Sequence, residues 1–170
     1  MKLFNKPEKP KALLLIYGTG GHEVQMRRLM GLTGEQWDQD IHKVAIHEPG
    51  AQLIEGISYG FELTALRTKQ RSWRSGLQSV VCVVCSVFVL WRVIRQFDVR
   101  CAITTGPGIA IPIALMLRLL GKKIIHVETW SRFCSKSLTG RFMYHLATTF
   151  YFQNQSLQRF YPKGIWSGRL

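Results

Sequence analysis

Residues 12–26 read ALLLIYGTGGHEVQM, in which a run of apolar side chains ends in a cluster of glycines. The apolar run, residues 12–17, is typical of a strand buried on both faces of a parallel sheet. Gly18, Gly20 and Gly21 lack a Cβ atom, so they accept positive φ angles and let a ligand approach the backbone. The helical pattern that follows would present unpaired N–H groups and its positive dipole end at this turn. The stretch therefore predicts a strand-to-helix turn suited to a phosphate or diphosphate.

This turn does not match the standard nucleotide-binding signatures. Glu23 stands where the dinucleotide fingerprint G-x-G-x-x-G has its third glycine, and no Lys-Ser or Lys-Thr pair follows for a P-loop. A glycine turn that only packs tightly, without a ligand, is the alternative interpretation. The rest of the chain has to decide between the two.

Strand and helix patterns alternate along the rest of the chain. Strands are predicted at residues 43–47, 61–66, 98–104, 123–127 and 150–152, and helices at residues 80–91, 109–120, 138–147 and 154–161. Gly121 is placed to end one helix and Ser137 to cap the start of another. This alternation predicts an α/β, doubly wound, Rossmann-like parallel sheet that binds ligands at the carboxyl ends of its strands. Residues 1–11 form a basic tail in this prediction, and residues 12–170 form one domain.

Three loops should converge at the switch point of such a sheet, where the first, fourth and fifth strands end. These loops are residues 18–23, 104–108 and 128–136. The glycines offer backbone donors, His22 and Glu128 offer proton acceptors, and Arg132 and Lys136 offer positive charge. Together these groups suit an anionic substrate with a hydroxyl to be activated. Each residue alone has a purely structural explanation, and only the convergence of the loops favours a site.

The strongly basic composition points to an anionic partner. The chain carries 23 Lys and Arg against 10 Asp and Glu, a net charge of +13, although 46% of its residues are hydrophobic. Nucleic acid or an anionic membrane would each explain this balance. The densest cations border the most apolar segment, which favours a membrane surface over nucleic acid. Residues 1–11 have no apolar core, so they are not a signal peptide, and we expect the protein on the cytoplasmic side.

The apolar segment 80–91 is the expected membrane contact. It is about a dozen residues long, short of the roughly 20 that a spanning helix needs, and cations flank both of its ends. This symmetry favours a helix that lies in the membrane interface over a spanning helix or a fully buried core helix. The residues expected at the membrane are Arg67, Arg71, Trp73, Arg74, Trp91 and Arg92.

The cysteines indicate no metal site. Cys82 and Cys85 form the C-x-x-C pair of the chain, but the pair lies inside the apolar segment and no second pair completes a zinc site. We therefore expect these cysteines to act as small apolar filler. Neither a metal nor another cofactor is expected, because helix ends and basic groups can balance the charge of a diphosphate.

Four motifs, in this order along the chain, resemble the acceptor-side subunits of split GT-B glycosyltransferases. They are GTGGHEVQM (18–26), TTGPGIAIP (104–112), HVETWSRFCSKSLTGRFMYHLATTFYFQN (126–154) and YPKGIWSGRL (161–170). That group includes the membrane-anchoring subunit of the eukaryotic enzyme that adds the second GlcNAc to dolichol diphosphate, and bacterial counterparts in capsule and exopolysaccharide synthesis. The N-terminal half of the peptidoglycan transferase that makes lipid II is a more distant likeness.

The resemblance implies an inverting, two-component enzyme of surface polysaccharide synthesis at the cytoplasmic face of the inner (plasma) membrane. This chain would bind a polyprenyl-diphosphate-linked sugar, and a separate small subunit would bind the UDP-sugar. His22 is implied as the first candidate base, and Glu128 as the second. The residues implied to bind the acceptor diphosphate are Gly20, Gly21, Thr105, Gly106, Gly108 and Arg132.

Several alternatives stay open at this point. A non-catalytic membrane scaffold that recruits a transferase is one, and a chain that binds both donor and acceptor by itself is another. A nucleotide-binding dehydrogenase module is disfavoured by Glu23. Many of the relatives carry a spanning segment before the first strand, whereas residues 1–11 here are short and charged. Membrane attachment is therefore expected to depend on residues 67–96.

Overall fold

The computed structural model describes residues 8–33, 40–63 and 73–170, with side chains of the last range from residue 80 onward. In these ranges seven parallel strands form one sheet in the order β3-β2-β1-β4-β5-β6-β7. The strands are β1 Lys11–Tyr17, β2 His42–His47, β3 Tyr59–Glu62, β4 Asp98–Thr104, β5 Lys123–Val127, β6 Thr149–Phe152 and β7 Ile165–Trp166. The helices are α1 Gly21–Thr33, α2 Trp73–Gln96, α3 Ala110–Leu119 and α4 Leu138–Leu146, with a short 3-10 helix at Gln155–Leu157.

The strand order makes the sheet doubly wound, as predicted. The chain adds β2 and β3 on one side of β1, then crosses to the other side to add β4 and continues outward to β7. β1 therefore pairs with both β2 and β4. The point where the direction reverses lies between β1 and β4, and the carboxyl ends of these strands leave a crevice there.

Hydrophobic layers cover both faces of the sheet. Along β1, Leu13 and Leu15 pack with Met26 of α1 on one face. Leu14 and Ile16 point to the opposite face and pack with side chains of α2, α3 and α4, because successive side chains of a strand alternate between faces. Every residue of β1 after Lys11 is buried, which confirms the prediction of a strand enclosed on both sides.

The caps predicted at the end of α3 and at the start of α4 are confirmed. Gly121 adopts a φ of 69°, and its N–H donates to the Arg118 carbonyl at 3.0 Å. The Lys122 N–H reaches back to Leu117 at 2.9 Å, which completes a Schellman motif. At the start of α4 the Ser137 hydroxyl accepts a bond from the Gly140 N–H at 2.7 Å.

Two boundaries near the start of the chain differ from the prediction. β3 is Tyr59–Glu62 instead of 61–66, because its register is set by pairing with β2; the last three predicted positions lie outside the described residues. The basic tail predicted at residues 1–11 overlaps the sheet by its last residue, since β1 already begins at Lys11. The Pro10 carbonyl accepts a bond from the Asp98 N–H at 2.9 Å, which ties this segment to β4.

Near the C-terminus, one predicted helix was wrong and one strand was not predicted. The helix predicted at 154–161 is only the 3-10 turn Gln155–Leu157, after which the chain turns so that the Tyr161 side chain is fully buried. The unpredicted β7 pairs with β6 through two residue pairs. A strand of two residues is too short to show an alternating pattern, so periodicity does not find it.

α2 has one buried face and one exposed apolar face. Leu90 and Val93 are fully buried against the sheet, whereas Val84 and Phe88 on the opposite side are 61% and 58% exposed. The alternative of a fully buried core helix is therefore wrong. Among the described residues, no helix has both the length and the apolar character needed to cross a membrane.

The predicted membrane residues are only partly covered by the structure. Trp91 and Arg92 are exposed on α2. Trp73 and Arg74 belong to the first turn of α2, but their side chains are not described, and Arg67 and Arg71 lie outside the described residues. Contact with a membrane thus stays a prediction.

The two cysteines of α2 have different surroundings. Cys82 is buried, as expected for small apolar filler, whereas Cys85 is exposed. Neither of them forms a disulfide bond within the described residues. The prediction of a packing role is thus confirmed for Cys82 and wrong for Cys85.

Candidate functional site

A cavity of about 580 Å³ opens at the carboxyl ends of the central strands, at the switch point of the sheet. All three loops that were expected to converge contribute side chains or backbone to its wall. Thr19 and His22 come from the loop after β1, Gly106 and Gly108 from the loop after β4, and Arg132 from the loop after β5. The predicted convergence is therefore confirmed.

Three helices begin at this cavity. His22 in the first turn of α1, Gly108 just before α3 and Ser137 at the cap of α4 all line it. In α1 the Val24 N–H is bonded to the Gly20 carbonyl at 3.0 Å, so the N–H groups before Val24 precede the helical ladder. Unpaired N–H groups and the positive ends of three helix dipoles favour an anion in this position.

His22 is held in one orientation by the loop after β4. Its Nδ1 lies 2.7 Å from the Thr105 carbonyl oxygen, and the Thr105 hydroxyl donates to the His22 carbonyl at 2.9 Å. Because a carbonyl only accepts hydrogen bonds, Nδ1 must carry the proton in this contact. The lone pair of the neutral ring is then on Nε2. This half-buried histidine is thus prepared to accept a proton.

The loop after β4 needs a glycine beside His22. Gly106 has a φ of 95°, a backbone conformation that residues other than glycine rarely adopt. A Cβ atom there would lie 3.7 Å from Cε1 of His22 and 3.3 Å from Cε1 of His126. Gly106 therefore lets two imidazole rings approach the same point from different sides.

Glu128 is buried behind the cavity wall. The residue is 1% exposed, and its Oε1 accepts a hydrogen bond from the Thr129 N–H at 3.0 Å. Its Oε2 accepts bonds from the hydroxyls of Ser137 at 3.1 Å and Tyr161 at 2.8 Å. Burial and the neighbouring Glu128 carboxylate raise the pKa of the Tyr161 hydroxyl. The carboxylate thus ties the end of β5 to the start of α4.

Glycine also makes room for the Glu128 carboxylate. A Cβ atom at Gly140 would overlap Oε2 of Glu128 and would lie 2.6 Å from the Tyr161 hydroxyl oxygen. The first turn of α4 therefore packs directly on the carboxylate. This position suits a group that holds α4 in place.

Glu48 lines the cavity and was not singled out from the sequence. It follows β2, and its Oε2 accepts a bond from the Thr19 N–H at 3.3 Å. Its position directly after a strand that borders β1 is the signal that would have found it, since ligands bind where such strands end.

His126 is a second residue that sequence reasoning missed. It is fully buried within β5, with its ring 4.9 Å from the Phe150 ring. Among the described residues, neither of its ring nitrogens has a hydrogen-bond partner. Burial, and to a smaller extent the charge of His22, lower the pKa of His126 to about 3. No local pattern distinguishes this histidine from any other residue within a strand.

Comparison with known proteins places the chain in a family. The family model described as "Oligosaccharide biosynthesis protein Alg14 like" matches residues 13–170. The chain belongs to this Alg14-like family. The rat UDP-N-acetylglucosamine transferase subunit ALG14 is 27% identical over 186 residues, which cover 96% of this chain and 85% of the rat protein. The human protein of that name is 26% identical with the same coverage, and that of Eremothecium gossypii is 23% identical, covering 95% and 80%.

Solved structures support the fold of this Alg14-like chain. Acinetobacter baumannii MurG superimposes with a TM-score of 0.61 and 17% identity, over 85% of this chain and 41% of MurG. The UDP-GlcNAc 2-epimerase of Neisseria meningitidis, solved with UDP-GlcNAc, gives 0.62 and 11%, over 89% and 42%. The chain thus spans about two fifths of these proteins. Its Rossmann-like fold corresponds to the N-terminal half of a GT-B protein.

In the Alg14-like chain, some of the residues predicted to bind a diphosphate line the cavity, and others do not. Gly106, Gly108 and Arg132 line the cavity. Thr105 is fully buried behind it and contacts His22 instead. Of the two cations predicted in the loop after β5, the second, Lys136, lies over the Tyr161 ring at 5.4 Å from its centroid.

Gly20 and Gly21 form the turn that leads into His22. Gly20 has a φ of 64°, and Gly21 is the first residue of α1. Neither glycine is part of the cavity wall, which here consists of Thr19 and His22. Their role in binding a diphosphate therefore stays a prediction, and the structure shows that they form the turn that leads into α1.

Proposed function

We propose that this chain is the acceptor-binding, membrane-associated subunit of a two-component inverting glycosyltransferase. The enzyme would move a sugar from a UDP-sugar to a polyprenyl-diphosphate-linked saccharide during synthesis of a surface polysaccharide such as capsule, exopolysaccharide or O-antigen. The observation that carries this proposal is His22, held by Thr105 in a cavity at which three helices begin. The names of its relatives make UDP-N-acetylglucosamine the first donor to test.

The diphosphate of the acceptor would bind at the α3 and α4 side of the cavity. Gly106 and Gly108 bring backbone close to the cavity, and the starts of α3 and α4 add their dipoles. Arg132 is exposed in the wall and offers a guanidinium, whose planar donors suit phosphate oxygens. Backbone donors, helix dipoles and a cation together balance the charge of a diphosphate without a metal ion.

His22 would take the proton from the acceptor hydroxyl. In an inverting transfer this hydroxyl attacks the anomeric carbon of the donor sugar, and UDP leaves from the opposite face. Nε2 accepts the proton as the new bond forms, and the Thr105 carbonyl stabilises the resulting imidazolium through Nδ1–H. Glu128 would contribute by holding α4, because its carboxylate oxygens already accept bonds from Thr129, Ser137 and Tyr161.

A small partner subunit would bind the UDP-sugar. The relatives are named as subunits of a UDP-N-acetylglucosamine transferase. In a two-domain arrangement the second domain would close over the carboxyl edge of the sheet, where His22 and the cavity lie.

The exposed face of α2 would lie in the interface of the inner membrane, on its cytoplasmic side. Val80, Val84, Phe88 and Trp91 are each at least half exposed on this face. Arg95 lies beside it, with its guanidinium 4.6 Å from the centre of the Trp91 ring. An apolar helix face with cations and tryptophan at its border is typical of interfacial helices, and a net charge of +13 favours anionic lipid.

The test measures transfer of labelled sugar from a panel of UDP-sugars to lipid-linked acceptors in membranes. The chain is assayed alone, with its small partner, and as His22→Ala with the partner; His42→Ala, at the opposite end of β2 from the cavity, is the matched control. We expect activity from the pair, its loss with His22→Ala in an intact complex, and normal activity with His42→Ala. Full activity from the partner alone would disprove the proposal and would favour the alternative of a non-catalytic membrane scaffold.

A further inference from the structure

Glu48 is the acidic side chain in the wall of the cavity. Among the described residues that form this wall, the other side chains that can carry charge are His22 and Arg132. Glu48 is half-buried, so its carboxylate faces the cavity without being fully solvated. A carboxylate repels a diphosphate nearby, so the diphosphate is expected to bind away from Glu48.

The fold holds this carboxylate at the turn before α1. The Glu48 N–H donates to the Tyr17 carbonyl at 3.2 Å, which fixes the backbone at the end of β2. A Cβ atom at Gly18 would overlap the Glu48 carboxylate, so this glycine admits the carboxylate over the end of β1. Oε2 accepts the bond from the Thr19 N–H. Oε1 has no hydrogen-bond partner among the residues that the structure describes.

The strand order separates Glu48 from Arg132. Glu48 follows β2 and Arg132 follows β5, with β1 and β4 between them. Three strand spacings of about 4.8 Å place the two strand ends roughly 14 Å apart. The cavity therefore has an acidic end at β2 and a basic end at β5, and His22 follows β1, next to the acidic end.

We propose that Glu48 accepts hydrogen bonds from the hydroxyl groups of the acceptor sugar and thereby selects that sugar. A carboxylate binds neighbouring sugar hydroxyls well, because each of its oxygens accepts and the bonds are charge-assisted. The sugar lies beside Glu48 and His22, and the diphosphate lies toward Arg132. This inference rests on the proposed function, and it assigns the orientation of the acceptor in the cavity.

The first test is equilibrium binding to the complex of this chain with its partner. The probes are farnesyl diphosphate and farnesyl diphosphate carrying GlcNAc, and the variants are Glu48→Gln and Glu48→Asp. Glu55→Gln is the matched control, because Glu55 is an exposed glutamate in the same connection between β2 and β3. We expect Glu48→Gln to weaken binding of the sugar-carrying probe about tenfold and to leave binding of farnesyl diphosphate unchanged.

A second measurement separates sugar binding from proton transfer. KM and kcat are determined for acceptors whose GlcNAc lacks one hydroxyl at a time. We expect Glu48→Gln to raise the acceptor KM about tenfold, to change kcat less than about twofold, and to remove the penalty for the deoxy sugar whose hydroxyl Glu48 binds. Glu48→Asp should restore part of the discrimination, and thermal unfolding checks that each variant is folded.

The outcomes distinguish this inference from the proposed function. The sugar-binding role is overturned if Glu48→Gln weakens binding of both probes equally, or if it leaves the penalties for the deoxy sugars unchanged. In that case an active wild-type enzyme would still support the proposed function. A loss confined to kcat also overturns it, because it would make Glu48 the proton acceptor. A wild-type complex that binds neither probe overturns the proposed function together with this inference.

Discussion

The turn after β1 and the turn after β5 each hold one of the two candidate bases, His22 and Glu128, but in opposite surroundings. His22 is half-buried in the cavity wall, and its single bond to Thr105 leaves Nε2 with a lone pair. Glu128 is 1% exposed, and its oxygens receive bonds from the backbone of Thr129 and from two hydroxyls. A proton acceptor has to be reached by the substrate, so this difference supports our proposal that His22 is the base and that Glu128 holds the structure in place.

His22→Gln is the change that should have the largest effect. A glutamine amide can still donate to the Thr105 carbonyl, but it has no basic lone pair. We expect kcat of the complex to fall about 10³-fold, with the free energy of unfolding changed by less than about 0.5 kcal/mol. Kinetics of the complex and urea unfolding of the variant check the two parts.

A matched histidine change controls for the loss of an imidazole elsewhere. His42→Gln alters an exposed residue at the start of β2 and should leave kcat unchanged. Retention of wild-type kcat by His22→Gln would contradict the assignment and return the role of base to Glu128, the second candidate.

Glu128→Gln should affect stability more than catalysis. One carboxylate oxygen becomes an NH₂ group, which cannot accept the bonds now made by Thr129 or by Ser137 and Tyr161. We expect the free energy of unfolding to fall by about 2 kcal/mol, since a buried donor is left without an acceptor. Urea unfolding measures this loss. An unchanged stability with kcat reduced a hundredfold or more would reverse the comparison between the two turns.

The difference between the two turns lies beyond what local sequence shows. The apolar run 12–17, the glycine cluster and the alternation of strands and helices are local patterns, and they predict the fold and the three converging loops. The burial of Glu128 depends on Tyr161, 33 residues further along the chain. The orientation of the His22 ring depends on Thr105, 83 residues away. Contacts at such separations follow from the three-dimensional fold, which periodicity does not specify.

Glu48 and His126 show the same limit at single positions. Glu48 enters the cavity because Gly18, 30 positions earlier, has no Cβ atom to block its carboxylate. The ring of His126 packs against Phe150 on the neighbouring strand β6, and it lies beneath a glycine from another loop. In both cases the partner lies far along the chain, so the local sequence around Glu48 or His126 does not show the contact.

His126→Phe should change how stability depends on pH. His126 has a pKa of about 3 in the folded chain, whereas an unfolded histidine has a pKa of about 6.5. Between these values the unfolded state binds a proton that the folded state does not, so stability falls as pH falls. The wild type should therefore lose about 1.4 kcal/mol more per pH unit than His126→Phe between pH 6 and 4.

Urea unfolding of wild type and His126→Phe at half-unit pH steps measures this slope. Above about pH 8 the histidine is neutral in both states, so the two slopes should coincide there. Parallel curves down to pH 4 would show that His126 is charged in the folded protein and would contradict its burial as a neutral ring. Because His22 lies near it, the same variant should also be assayed for kcat at pH 7.5.

The smallest effects come from two hydroxyls, each bonded to one of the two turns. Thr105→Val removes the bond to the His22 carbonyl, and Tyr161→Phe removes the bond to the Glu128 carboxylate. Both changes keep the size of a buried side chain, and we expect each to cost about 1 to 1.5 kcal/mol of unfolding free energy. Only Thr105→Val should also lower kcat, by about fivefold, because it loosens the loop that orients the His22 ring. If Tyr161→Phe lowered kcat as much while unfolding remained two-state, the β5 turn would take part in catalysis directly, and the distinction between a reactive turn and a supporting turn would fail.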